Sequence, residues 1–523
     1  MNFLRSLILK NLDLIKVFLA ILVFFYSVYI IQYHYDGHHI GLMYSNAIDL
    51  NNSKLPYKEI FIQYGILTTL IHSIILNIFD NKIFFISLAT IIFYIFSILL
   101  ISKTVKNLIN KKYGFLCFFL LIANHPIPWL PWSNYLAFFF ISLSLFFLST
   151  KNRYNYLIGF FLSMAVLCRE DFFISIISSF VLFSFFYFFF KKKKFDINTL
   201  KIIFGFVTPL LLFIYYINSL DVYLEWVNYR YIPKFYMDIY NVGIIDLINE
   251  FITFFVSDAF FRFVTTPQYF LISIILISNT CFILLSLFRK FYVNKNILYI
   301  SLLCLCLSLL SLKIELFRLY TSVSIGLIPL LFYIHNVSNL DLKKKLLLVL
   351  ILPSIYSIIF YPLGNNLFFA RINFNTEPIN HTMSQFKFQK WPTSRIKSLN
   401  EIKYLTMLCD TQYLENLTFD SIFSTIGNFD RIRLIPFVKN NVKDSEFHEY
   451  IDKIKNSNVH FVDLINEEII KENIIILINE NNYSFNNKTI SFTQNYVFKE
   501  INLSTIKGKP DILRAYFPKK CNN

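Results

Sequence analysis

An acid flanked by histidines is the first group in this chain with chemistry to offer. Asp36 follows a long apolar stretch, Val17 to Ile31, and His34, His38 and His39 lie within three residues of it. A carboxylate at the mouth of an apolar segment is costly to place unless water, a partner or a cation is near. Such a group can take up a proton or hold a cation.

Further ionisable residues fall at the ends of apolar runs. The same loop adds Asp49, Lys58 and Glu59. Arg169, Glu170 and Asp171 form a corner with almost no loop between two runs, 154–168 and 172–190. Glu315 and Arg318 stand where a later run begins, and the stretch 218–269 carries Arg230 and Arg262. A single charge at the end of a span is usually a boundary residue. Three in one corner must meet water, headgroups or one another.

The elements that must hold these groups are membrane helices. Hydrophobic residues make up 56% of the 523 and charged residues 16%, against about 25% charged in an ordinary soluble domain. Apolar runs close to the length of a crossing recur over the first two-thirds. We read about eleven spans, at 14–33, 83–102, 114–124, 135–150, 154–168, 172–190, 201–217, 270–288, 297–312, 318–335 and 346–361. No small-residue cleavage site follows the first, which is read as a retained span.

The net charge of +16 does not point to nucleic acid, because the lysines gather at the ends of apolar runs, as in Lys191–Lys194 and Lys343–Lys345. That is the positive-inside pattern. With the N-terminus inside, the lysine-rich links 103–112, 151–153, 191–201, 289–295 and 336–345 all fall on the inner side. The links 34–82, 125–134, 169–171, 218–269 and 313–317 fall outside, with the tail. The apolar run 61–79 breaks this scheme if it crosses. It carries Gln63, Thr68, Thr69, His72 and Asn77, and is read as a helix lying on the outer surface. In the link 125–134, prolines stop helices, and Trp129 and Trp132 suit a membrane interface.

Beyond the spans the composition changes. We divide the chain into a membrane domain, 1–361, and a polar tail, 362–523. Strand-like runs at 458–464 and 473–479, with a helix-like stretch at 444–456, read as a small extracytoplasmic α/β domain. Cys409 and Cys521 lie in this tail, and whether they pair is left open. The other cysteines fall in or beside apolar runs and read as small hydrophobes.

The stretch Asp36 to Asp49, followed by Leu55 to Thr68, resembles the first outer loop of GT-C-fold glycosyltransferases. These are polytopic enzymes that use lipid-phosphate-linked sugars, among them polyprenyl- and dolichyl-phosphate mannosyl- and arabinosyltransferases. In that family an acid follows the first span, and surface helices separate it from the second. Arg169 to Asp171 and Glu315 to Arg318 resemble further charged outer turns of the family. Many members carry paired acids in the first loop, whereas here His38 and His39 follow the single Asp36.

The resemblance implies a multi-pass enzyme of the cytoplasmic membrane with its active site facing the periplasm. It would move a sugar from a polyprenyl phosphate to a hydroxyl of a glycan, lipid or protein. Asp36 would be the general base. Arg169, Arg318 and Lys58 would bind the donor phosphate, since a guanidinium pairs with two of its oxygens. Glu170, Asp171, Glu59 and Glu315 would orient an arginine or the acceptor. His38 and His39 are candidate ligands for a divalent cation, with hydrogen bonding inside the loop as the favoured reading; no other cofactor is expected.

Two other classes share this bulk composition. An O-antigen polymerase or ligase would centre on Arg230 and Arg262 and consume a diphosphate-linked oligosaccharide. A transporter of lipid-linked sugars would need no covalent step, but the large outer tail and the lack of an internal repeat speak against it. Glycine numbers only 11, and no phosphate-cradling loop motif or His-Glu-x-x-His zinc signature occurs.

Overall fold

A computed structural model describes residues 11–37, 39–60, 62, 64–125, 130–150, 154–186, 197–229, 267–287, 294–309, 316–364, 376–378, 383–408, 413–416, 422–426, 474–479, 496–506 and 509–518. Each apolar run read as a span is helical in its described part. Helix α1 (Leu12–Ile31) leads to Asp36, and two short helices, α2 (His39–Asn51) and α3 (Ile66–Ile78), separate it from α4 (Phe84–Leu108). The bundle continues through α5 (Lys111–Ala123), α6 (Ser133–Leu148), α7 (Asn155–Cys168), α8 (Phe172–Phe185), α9 (Ile197–Ser219) and the short α10 (Tyr223–Tyr229). It then runs through α11 (Pro267–Leu287), α12 (Lys295–Leu309), α13 (Leu316–Val323), α14 (Leu327–Asn336) and α15 (Leu340–Gly364).

The run 318–335 is two helices, α13 and α14, joined by the tight turn Ser324–Gly326. Packing is close at Gly326: a Cβ would stand 2.6 Å from Ile275 Cγ2 and 2.8 Å from Asn279 Nδ2, and these side chains would have to shift to admit it. Asn279 Nδ2 instead donates to the Gly326 carbonyl at 3.0 Å.

Five described helical stretches are long and apolar enough to cross a membrane: Leu12–Ile31, Phe84–Leu108, Asn198–Ser219, Pro267–Ser286 and, taking α13, its turn and α14 together, Leu319–Asn336. The bundle leaves large apolar side chains uncovered, among them Phe18 and Phe25 on α1, Phe204 and Leu211 on α9, and Leu352 on α15. In water such a surface would drive aggregation; in lipid it is the ordinary outer face of a helical membrane protein.

The two ends of the bundle differ in charge. At one end Asp13 pairs with Lys16, Lys106 and Lys111 at 2.9, 3.0 and 3.3 Å. Asn107 bonds there to Ser149, Asn296 to the Leu148 carbonyl, and Asn155 to Asn198, while Lys343 lies over the Tyr113 ring. The described parts of the lysine-rich links thus share one end. The opposite end carries Asp36, His125, Asn134, the Arg169 corner and Trp226.

Helix α3 belongs wholly to that second end. Gly65, just before it, lies against the backbone of Leu167 and Cys168. Past its far end the Asn81 carbonyl accepts from Tyr44 Oη at 2.6 Å, and Ile83 N donates to the Gln385 carbonyl at 3.0 Å. The helix therefore lies across one end of the bundle instead of threading it. It buries Thr68, Thr69, His72 and Ser73 and exposes Ile74 and Ile78. Ile66 and Leu76 are buried beside these polar residues, so the face turned to protein is mixed, while Ile74 and Ile78 leave an apolar patch uncovered.

The tail turns back onto the same end. Strands β1 (Thr376–Pro378) and β2 (Lys390–Pro392) pair antiparallel. Helix α16 (Thr393–Leu408) then packs on a four-stranded sheet of β3 (Tyr413–Asn416), β4 (Ile474–Asn479), β5 (Tyr496–Ile506) and β6 (Lys509–Pro518). The order is β3-β4-β6-β5, with β3 and β4 parallel and the other neighbours antiparallel. Leu399 and Ile402 of the helix and Ile501, Ala515 and Phe517 of the sheet are buried. Strand β4 is the run expected at 473–479. The runs 444–456 and 458–464, with Cys409 and Cys521, lie outside the described residues.

Candidate functional site

Asp36 ends the turn that leads from α1 into α2. Its Oδ1 accepts from the backbone N–H of His39 at 2.6 Å, and its Oδ2 lies 3.1 Å from His39 Nδ1. The carboxylate thereby satisfies an otherwise unpaired donor at the start of α2, as an acid at a helix N-terminus does. Both side chains keep some contact with solvent, at 23% and 28% exposure for Asp36 and His39. Burial works to raise the Asp36 pKa. The hydrogen bonds from His39, with the charges of His39 and His34, outweigh it and hold the carboxyl well below the usual carboxylate range.

The second cluster is the corner between α7 and α8. Arg169 is extended, with φ −148° and ψ 95°, and breaks the helix at Cys168. Phe172 N and Phe173 N donate back to the carbonyls of Arg169 and Glu170, which closes the turn in two residues. Arg169 is 1% exposed. Its Nε donates to Asp171 Oδ1 at 2.8 Å, its Nη2 to Oδ2 at 2.7 Å, and its Nη1 to Asn134 Oδ1. The guanidinium also lies over the rings of Tyr64 and Phe172, at 5.6 and 5.2 Å. A buried charge needs such compensation.

Glu170 joins the corner to the first loop. Its backbone N donates to the Tyr64 carbonyl at 2.9 Å, and its carboxylate accepts from Tyr57 Oη at 3.0 Å and Trp226 Nε1 at 3.4 Å. Tyr57 reaches this position with φ 66°, a strained backbone for a residue with a side chain. Gly65 makes the close approach possible, since a Cβ there would come within 2.7 Å of the Cys168 backbone.

Aromatic rings span the distance between the two clusters. His39 meets Trp132 edge to face at 4.6 Å, Trp132 meets Tyr64 at 6.2 Å, and Tyr64 lies under Arg169. Asp36 and the corner therefore share one neighbourhood, linked as Asp36–His39–Trp132–Tyr64–Arg169. Trp132 was expected at the membrane interface but is 3% exposed; its ring is spent on His39 and Tyr64. Beside it, the first turn of α6 holds Arg169 through Asn134. The same turn holds His125 through Tyr135 Oη, 3.1 Å from His125 Nε2. The His125 ring lies 5.5 Å from that of Tyr320 on α13, and Tyr320 Oη is 2.7 Å from Tyr94 Oη.

Other candidates from the sequence stand apart or lie beyond view. Lys58 and Glu59 are exposed, and Glu59 caps its own turn through Leu55 N at 2.6 Å. Asp49 is buried and pairs with Lys54 at 3.2 Å. Arg318 lies on α13, two residues before Tyr320, with its side chain outside the described residues; His38, Glu315, Arg230 and Arg262 lie outside them altogether. Among the described residues no three His, Cys, Asp or Glu are arranged to hold a metal ion. Sequence reasoning missed Tyr57, Tyr64, Asn134 and Trp226. Tyr57 and Tyr64, both in the stretch that resembles the GT-C family, carried that resemblance as their signal; Asn134 and Trp226 carried none.

No family model matches the chain, and no curated protein matches it. Among solved structures it is similar to the crystal structure of ArnT from Cupriavidus metallidurans bound to undecaprenyl phosphate. The two align with a TM-score of 0.57 at 9% identity, over 96% of this chain and 97% of that one. At that identity the likeness is one of fold. The chain has the GT-C fold that its first loop resembles and is a multi-pass membrane protein.

Proposed function

We propose that the protein is a membrane glycosyltransferase that moves a sugar from a polyprenyl phosphate to an acceptor hydroxyl, with Asp36 at the reacting centre. One arrangement supports this reading. An ionised, partly solvated carboxylate and an Arg–Glu–Asp corner share one end of a bundle whose fold is that of a protein seen with undecaprenyl phosphate. The reading puts that end on the periplasmic side of the cytoplasmic membrane, because the lysine-rich links gather at the other. The exposed apolar face of α3 then rests in the outer leaflet. The tail from 362 onward is a domain on the same side.

In the reaction the bond between the anomeric carbon and the phosphate oxygen breaks. The acceptor oxygen bonds to that carbon, its proton passes to Asp36, and the polyprenyl phosphate leaves as an anion. A carboxylate with a depressed pKa is ionised whenever substrate arrives but is a weak base. The larger share of the rate must then come from stabilising the departing phosphate in a water-poor cleft. The Nε–Nη2 edge of Arg169 is held by Asp171, so Arg169 fixes the corner, while Lys58 and Arg318 bring positive charge to the phosphate. Glu170, seated on Tyr57 and Trp226, fixes the loop that carries Lys58; Glu59 and Glu315 remain candidates for orienting the acceptor.

The deciding experiment is transfer from a synthetic polyprenyl-phosphate sugar by the purified full-length protein in lipid nanodiscs. Asp36→Asn is expected to insert normally and to lose at least about a hundredfold in rate, the contribution typical of a positioned base. Transfer at the wild-type rate by Asp36→Asn would overturn the reading.

A further inference from the structure

The tail segment 383–395 grips the residues on both sides of Asp36. On the near side, Lys390 N donates to the Gln32 carbonyl at 2.6 Å, and Trp391 Nε1 donates to the His34 carbonyl at 3.1 Å. The Trp391 ring meets Tyr35 edge to face at 4.8 Å, and the Arg395 guanidinium lies 5.2 Å from the centre of the same Tyr35 ring. On the far side, Phe386 packs on Trp391 at 5.0 Å and on Tyr44 of α2 at 6.4 Å. Gln385 takes the N–H of Ile83 at the start of α4.

Trp391 and Phe386 are 1% and 0% exposed, although they lie in a polar tail, far in sequence from the turn after α1 that they cover. A three-residue strand gains little from its own ladder, so β2 is held chiefly by what it touches. It touches the turn that presents Asp36. The backbone carbonyls of Gln32 and His34, left open where α1 ends, receive donors from the tail instead of from water.

We propose that segment 383–395 is a brace that sets the position of Asp36, with Trp391 as its positioning residue. Trp391 acts through the backbone at His34 and the ring of Tyr35, and it touches no reacting atom. The tail then does more than cap the membrane bundle: it completes the geometry of the first loop. The inference goes beyond the sugar-transfer reading and stands or falls without it.

The test needs no substrate. Asp36→Cys is introduced into the full-length protein, and reaction with a small water-soluble maleimide is followed peptide by peptide by mass spectrometry. The native Cys117, which is buried, reports general loosening. A separate Lys58→Cys variant, at an exposed site, reports reagent access alone. Adding Trp391→Ala is expected to speed labelling at position 36 by about tenfold or more, as losing a buried hydrogen bond and its ring contacts would. Labelling at Cys117 and at position 58 should not change. Trp391→Phe keeps a six-membered ring against Tyr35 but loses the indole N–H, so it should speed labelling at position 36 by a smaller, still measurable factor. It carries the test if Trp391→Ala also exposes Cys117, because position 36 should still label faster than in the parent. Unchanged labelling at position 36 in either intact variant would overturn the brace.

Discussion

Arg169 and Asp171, two residues apart, form a closed pair: Nε and Nη2 of one meet both carboxylate oxygens of the other, with the side chains 1% and 6% exposed. Removing one partner strands a charge away from water. Asp171→Asn is therefore expected to cost about 3 kcal/mol of stability, read as a lower unfolding midpoint in detergent. Arg169→Lys should fall short of wild type as well, since an ammonium cannot reproduce the paired bonds.

Gly65→Ala places a methyl group against the backbone of Leu167 and Cys168, which has no flexible end to move aside. The first loop must back away from the corner, at a cost of about 2 kcal/mol. Limited proteolysis should cut the 52–65 loop faster in this variant, and the bond between Tyr57 and Glu170 should be lost with it.

Lys58 is exposed beside Tyr57, and its charge is free to follow a bound phosphate. Lys58→Ala is expected to raise the donor KM about tenfold, the worth of one hydrogen bond to a charged group, with a smaller change in kcat. Steady-state kinetics over a range of donor concentrations decide this. An equal fall in kcat would move Lys58 from binding to chemistry.

Acid should weaken the fold in two separate windows. Burial pushes His72 down to about 4 and His125 down to about 3. Between pH 6.5 and those values the unfolded chain binds protons that the folded protein does not, so stability falls as pH falls. Asp36 behaves differently. Its folded pKa lies below its unfolded one, so its contribution is complete above the ordinary carboxylate value, about 3.9, and is lost only below it. Unfolding midpoints measured from pH 7 to pH 4 should decline, and His72→Gln should flatten the decline while Asp36→Asn leaves its slope unchanged.

The helices were legible because apolar runs of this length have few other uses. The corner was legible because three adjacent charges between two such runs stand out. The polar content of 61–79 set that run apart from the others, and Thr68, Thr69 and His72 are among the residues its helix buries, although Asn77 is exposed. What joins Asp36 to Arg169 was not legible. Trp132, Tyr64 and Asn134 act by meeting residues from other parts of the chain, and no local pattern marks such a meeting. Trp391 was hidden for the same reason: a lone tryptophan in a polar tail gives no hint that its N–H reaches His34.

Helix α3 has a consequence for the bookkeeping of sides. A segment that begins and finishes at one end adds nothing to the parity of crossings. On the reading of eleven crossings, a threading α3 would move every later connection to the other side and bring the two termini together. A compartment-sensitive reporter fused to the C-terminus thus reads out, at the far end of the chain, the posture of one short amphipathic helix near its beginning.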